Sequence, residues 1–107
     1  MVTEIRNAEL AQKLQAGEPV YLLDVRQPWE HDLAALPGSV LIPLPELSGR
    51  VGEVRPPTGA LVVVYCHHGV RSLSGAAVLE AAGIPAVSLH GGIDAWSGQI
   101  DPTVPRY

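Results

Sequence analysis

The sequence predicts an α/β fold in one domain over residues 1–107: a mostly parallel central sheet flanked by helices on both faces. Three observations predict it. Short apolar runs alternate with segments of helical character along the chain. The clearest run, Leu61–Tyr65 (LVVVY), is continuously apolar and rich in β-branched residues, the pattern of a strand buried on both faces. At 107 residues, the chain is the size of one domain that can bury enough surface to fold alone.

The elements follow in order. Glu4 and Ile5 begin a short first strand. Asn7 is positioned to cap a helix reaching Gln15, with Leu10 and Leu14 four apart on one face and Gly17 just past its end. Residues 20–25 (VYLLDV) form the second strand. Pro28 opens a helix continued by 29–36, and Pro37-Gly38 breaks the chain ahead of a third strand at 39–42. A short helix is expected at 44–51 and a loop at 55–59. After Leu61–Tyr65, residues 70–82 form a helix whose first half is built of small residues able to approach a sheet closely, with Gly83 as its stop. Residues 86–89 make the last strand, and 91–96 turn into a final short helix. The tail, 101–107, carries two prolines and is predicted to be extended.

Composition excludes several functions. The net charge is −4, and the seven Lys and Arg residues are scattered, so neither nucleic acid nor an anionic membrane surface finds a basic footprint. The longest apolar run, 60–66, is far too short to span a bilayer. No charged start precedes an apolar stretch, and a cytoplasmic location without a leader is expected. The single cysteine rules out an intrachain disulfide and a zinc site of several thiolates.

That cysteine, Cys66, ends the strongest strand, and parallel sheets bind ligands beyond the carboxyl ends of their strands. The segment 66–72 (CHHGVRS) joins the strand to a helix. Such a loop can aim several backbone N–H groups at one point, the helix start adds positive potential there, and Gly69 permits the backbone conformation required. A thiol on the floor of that nest is favoured as the nucleophilic thiolate. Composition alone favours an inert core cysteine. Two histidines, a glycine and an arginine crowded into one turn reverse that judgement. His67 and His68 are adjacent on a tight loop and share no ligand spacing with His31 or His90, so no metal is expected. They are assigned instead to the mouth, as hydrogen-bond donors to an anionic substrate.

The chain resembles the rhodanese domain family of single-domain thiosulfate sulfurtransferases over nearly its whole length. Leu23-Asp24-Val25-Arg26 with Pro28, Trp29-Glu30 and His31 resembles the family's first motif, and Pro37-Gly38-Ser39 with Ile42-Pro43 its second. Residues 66–72 resemble the active loop, and Gly91-Gly92-Ile93 with Ala95-Trp96 the closing motif. The chain departs from the family at 32–36, where a histidine usually found is absent, an effect expected on packing and not on chemistry.

The resemblance implies that Cys66 takes sulfane sulfur from thiosulfate or a persulfide donor, holds it as a persulfide and passes it to a thiol or cyanide in a ping-pong cycle. His67, His68, Gly69, Val70 and Arg71 would form the substrate cradle, with Arg71 favouring anionic donor and thiolate unless it is internally paired. No cofactor is implied. Asp24 and Arg26 are read as structural, with Arg26 paired to Glu30 across the turn, and Trp96 as core. Three rivals remain. Dual-specificity phosphatases of similar fold need one residue more between cysteine and arginine than the four found here. Family members that have lost the cysteine serve as binding modules without turnover. The ending, 91–107, resembles rhodanese domains joined to adenylyltransferases, which implies a persulfide carrier fed by a cysteine desulfurase or serving a sulfur-carrier protein in cofactor or tRNA thiolation.

Overall fold

In a computed structural model, which describes residues 2–107, the elements run β1 (Thr3–Ile5), α1 (Asn7–Gln15), β2 (Val20–Asp24), α2 (Pro28–Leu33), β3 (Val40–Leu41), α3 (Leu44–Leu47), a 3-10 turn (Val51–Glu53), β4 (Leu61–Tyr65), α4 (Arg71–Ala81), β5 (Val87–Leu89) and α5 (Gly92–Gln99). The five strands form one sheet in the order β1-β5-β4-β2-β3, every pairing parallel. β4 sits at the centre and pairs residue for residue with β2, from Val20 opposite Leu61 to Asp24 opposite Tyr65. Both faces are covered, as its unbroken apolar run requires.

Alternation along β4 splits the core in two. Val63 and Tyr65 join Leu10, Leu22, Leu36, Ile93 and Trp96 on the side of α1 and α5. Val62, Val64 and Cys66 join Leu23, Val25, Leu47 and Leu79 on the side of α3 and α4. α4 lies close to the sheet because its first half lacks bulk. A Cβ built on Gly75 would meet Val64 at 3.0 Å and Val25 at 3.2 Å. Trp96 is buried in the core, as expected. Among the described residues, no helix is long and apolar enough to cross a membrane.

Several boundaries differ from the sequence reading, each for a local reason. Asn7 does not cap α1. Arg6 takes that position, and the buried Asn7 amide donates to Gln99 Oε1 at 3.2 Å, tying α1 to α5. The buried stripe of α1 runs through Leu10 and Ala11, and Leu14 is exposed. α2 stops at Leu33 because residues 34–36 extend so that the Leu36 amide can reach the Tyr65 hydroxyl at 3.1 Å. β3 holds only two residues, since Ser39 is drawn into a turn onto the Leu36 carbonyl. The final helix runs on to Gln99. The tail is not simply extended: it turns at Asp101, buries Val104 and is fastened by Ser97 Oγ donating to the Val104 carbonyl.

Candidate active site

β4 delivers Cys66 to the start of α4, and the thiol is only 1% exposed. Its sulfur accepts hydrogen bonds from the amides of Gly69 at 3.2 Å and Ser72 at 3.3 Å, and lies 3.5 Å from the Ser72 hydroxyl. That hydroxyl pairs with Ser88 Oγ of β5 at 2.7 Å, both groups fully buried. Two convergent N–H donors in a buried setting stabilise negative charge on sulfur more than they would in water.

The loop keeps this shape because glycines let backbone approach backbone. Gly69 has φ +93°, and a Cβ there would lie 2.9 Å from the Gly91 nitrogen. At Gly92 (φ +62°) a Cβ would fall 2.5 Å from the carbonyl oxygens of both Cys66 and His67. Those two carbonyls accept from the first amides of α5, Ile93 N–H to Cys66 at 2.9 Å and Asp94 N–H to His67 at 3.0 Å. With the carbonyls held by α5, amides of the loop are left to face the sulfur.

Arg71 points elsewhere. Its two terminal nitrogens donate to Glu30 at 2.7 and 2.8 Å. The expected Arg26–Glu30 pair is therefore corrected. Arg26, completely buried, forks onto Asp24 at 2.8 and 2.7 Å and donates to Tyr107 Oη at 2.7 Å and to the Ala34 carbonyl. Asp24 is adjacent in β2 and satisfies the guanidinium without crossing the turn, which frees Glu30 for the loop arginine. Glu30 also accepts from the Gln27 amide and from Tyr107 Oη, at 2.9 and 2.6 Å. Arg71, with these donors, holds the Glu30 carboxyl down at about 2 against the effect of burial. Burial, then the neighbouring Glu30 carboxylate, pushes the Tyr107 phenol up to about 12.

The rim is aromatic. His67 is sandwiched between His68, with ring centroids 3.8 Å apart, and Tyr107, at 3.9 Å and 5° from parallel. Trp29 meets the edge of Tyr107 at 5.7 Å. Burial, then the nearby His68, pushes the His67 imidazole below its ordinary range, and its enclosed Nε2 has no hydrogen-bond partner. Val70 and Trp29 stand out from this rim, 72% and 61% exposed. Of the predicted cradle, the structure brings Cys66 and Gly69 together through their hydrogen bond, leaves His67 half-buried and His68 and Val70 exposed, and turns the Arg71 head onto Glu30.

Sequence reasoning missed four participants. Ser88, Glu30 as partner of the loop arginine, Tyr107 and Asp94 all come from distant elements, and only the topology joins them. Asp94 also alters the metal question. It brings a carboxylate oxygen within 4.8 Å of histidine nitrogens of His67 and His68, so these three residues could hold a divalent cation. The two imidazoles are stacked face to face, however, and Arg106 forks onto the Asp94 carboxylate at 3.1 Å through both contacts.

Comparison with known proteins adds four relationships. The family model described as "Rhodanese-like domain" matches residues 6–99. The Mycobacterium tuberculosis protein named "Probable adenylyltransferase/sulfurtransferase MoeZ" is 38% identical over 92% of this chain, which spans about a quarter (26%) of that longer protein. A protein of Allochromatium vinosum named "Sulfurtransferase" is 37% identical, covering 91% of this chain and 90% of its own length. A crystal structure of a rhodanese-like domain protein from Staphylococcus aureus superposes with a TM-score of 0.83 at 30% identity, covering 99% of each chain.

Proposed function

The chain belongs to the rhodanese-like domain family, and from that premise we propose that it is a sulfurtransferase moving sulfane sulfur from thiosulfate or a persulfide through a Cys66 persulfide to a thiophilic acceptor. The observation that carries this reading is the pair of amides, Gly69 and Ser72, aimed at the sulfur of a cysteine that ends a central strand. The thiolate attacks the outer sulfur of the donor, the donor's sulfur–sulfur bond breaks, and the electron pair leaves on sulfite or on a thiolate. The same amides then hold the inner sulfur of the persulfide in place until cyanide or a thiol removes its outer sulfur. His67, His68, Gly69 and Val70 line the path, and Arg71 acts through Glu30 to fix the loop. No cofactor takes part.

A second reading differs only in the partner. Relatives that combine adenylyltransferase and sulfurtransferase in one name support a carrier role, in which a cysteine desulfurase loads Cys66 and a sulfur-carrier protein unloads it. The exposed Val70 and Trp29 beside the loop suit a protein contact. A cytoplasmic location fits either reading. Phosphatase chemistry is less well supported, because a phosphate ester needs the loop arginine in the cradle and Arg71 is engaged by Glu30. A binding module without turnover has no use for the donors on Sγ.

The test is mass spectrometry after donor treatment. Cys66 gains one sulfur atom, loses it on addition of cyanide, and Cys66→Ser gains none. Steady-state rates in both substrates give parallel double-reciprocal lines. An unchanged mass with both thiosulfate and a persulfide, or hydrolysis of an aryl phosphate that depends on Cys66, would reject the proposal.

A further inference from the structure

Resting on the reading of Cys66 as a sulfur carrier, we infer that the donor this site accepts best is a thiol persulfide of low charge, R–S–SH, and that thiosulfate is a poor donor by comparison. Thiosulfate arrives as a dianion and expels a dianion, so a site shaped for it offers a cation whose charge is not already matched. Around the Cys66 loop the guanidiniums are matched one to one. Arg71 forks onto Glu30, Arg26 onto Asp24 and Arg106 onto Asp94. Arg26 is in addition sealed from solvent.

The histidines do not replace them. His67 is stacked between two rings with its Nε2 enclosed, and burial works against its charged form. His68 Nε2 lies 3.9 Å from the Asp94 carboxylate that Arg106 also holds. The amides of Gly69 and Ser72 bind Sγ itself, so they stabilise the attacking thiolate and the persulfide, not a sulfonate beyond it. The net charge of −4 adds repulsion at longer range. What the mouth offers instead is apolar: the stacked His68, His67 and Tyr107 rings with exposed Val70 and Trp29. Such a surface covers a carbon skeleton R and repays nothing to a sulfonate.

The loading step balances without an added oxidant. The Cys66 thiolate attacks the outer sulfur of R–S–SH, the Sγ–S bond forms as the donor S–S bond breaks, and the electron pair leaves on R–S⁻. The outer sulfur carries its proton across, giving Cys66–S–SH, and R–S⁻ takes a proton from water. The sulfane sulfur changes partner with no net oxidation.

The experiment compares single-turnover loading of the full chain by thiosulfate and by 2-hydroxyethyl persulfide at equal concentration, read as one sulfur gained on Cys66. The native chain should load faster with the persulfide, and its thiosulfate rate should not fall as salt is raised. Glu30→Gln leaves the Arg71 cation unmatched and should raise thiosulfate loading relative to persulfide loading by about tenfold, a gain that shrinks with salt. Native loading by thiosulfate as fast as by persulfide would overturn the inference. So would a native thiosulfate rate that falls steeply with salt, the mark of a free cation reading the dianion. A ratio unchanged in a folded Glu30→Gln chain would do the same, and if that variant does not fold, the native salt series decides. Loading by neither donor would instead overturn the sulfur-carrier reading itself.

Discussion

Glu30 reaches from α2 to accept both terminal nitrogens of Arg71, at 2.7 and 2.8 Å, across 41 residues of sequence. The contact fastens the first turn of α4, and with it the Ser72 amide on Sγ, to a helix that touches the active loop nowhere in sequence. Because its folded-state carboxyl titrates at about 2, well below its ordinary 4.5, Glu30 contributes stability that is fully present above about pH 4.5 and lost as pH falls through about 2. The contribution is at most about 3 kcal/mol. Glu30→Gln should flatten this part of the stability profile, measured by urea unfolding from pH 6 to pH 2.5 or thereabouts; an unchanged acid slope would show that Glu30 does not carry it.

Ser72→Ala removes the hydroxyl between Sγ and Ser88 while keeping the Ser72 amide. It leaves Ser88 Oγ buried without its partner, a cost of about 1–2 kcal/mol. Sulfur loading of Cys66 should slow several-fold. Ser72→Ala with Ser88→Ala should recover part of the stability but none of the rate. Denaturant melts and single-turnover loading separate the two effects, and recovery of rate in the double variant would contradict the assignment.

Gly92→Ala should be far more damaging than Gly17→Ala, though both glycines have positive φ. At Gly17 a Cβ meets nothing within 4 Å, so only backbone strain of about 1 kcal/mol applies. At Gly92 the Cβ would strike the Cys66 and His67 carbonyls, adding overpacking of about 1–3 kcal/mol to that strain. The loop must shift to relieve it, so Gly92→Ala should lose most sulfur transfer, while Gly17→Ala keeps it. Equal losses of stability and activity in the two variants would count against this account of the loop.

Tyr107 can be dissected by two substitutions. Tyr107→Phe keeps the stack on His67 and loses the hydroxyl that joins Arg26 to Glu30, a loss of about 1–2 kcal/mol. Tyr107→Ala also unroofs His67. Since burial is the main cause of the lowered His67 value, its titration should move up toward the ordinary range in Tyr107→Ala and stay low in Tyr107→Phe. Histidine NMR against pH reads this directly, and a His67 titration unmoved by Tyr107→Ala would show that the ring does not shield it.

Local signals made the fold legible and marked Cys66 as the candidate for its site. The apolar run at Leu61–Tyr65 defined the central strand to the residue, and Gly17 and Gly83 both lie just past helices in the left-handed conformation their positions called for. Cys66 was placed by what surrounds it in sequence. What could not be read was choice among partners. Arg26 and Arg71 are both near Glu30 in the fold, and only the burial of Asp24 directly below Arg26 decides that Glu30 goes to the loop. The tail was misjudged for a similar reason. Two prolines suggest an extended chain, but Val104 has core to fill and Tyr107 has a cation and a carboxylate to join.

Cys66 belongs to the α4 side of the sheet because it stands an even number of positions after Val62 and Val64. Parity along one strand thus sets the face on which the thiol stands. A single residue inserted within Leu61–Tyr65 would carry the thiol to the opposite face of the sheet, the one that Val63 and Tyr65 occupy, away from the start of α4. A chain so altered would keep residues 66–72 letter for letter and carry the thiol on the wrong face for the Gly69 and Ser72 amides. The loop motif therefore reports a working site only together with the count of residues leading into it.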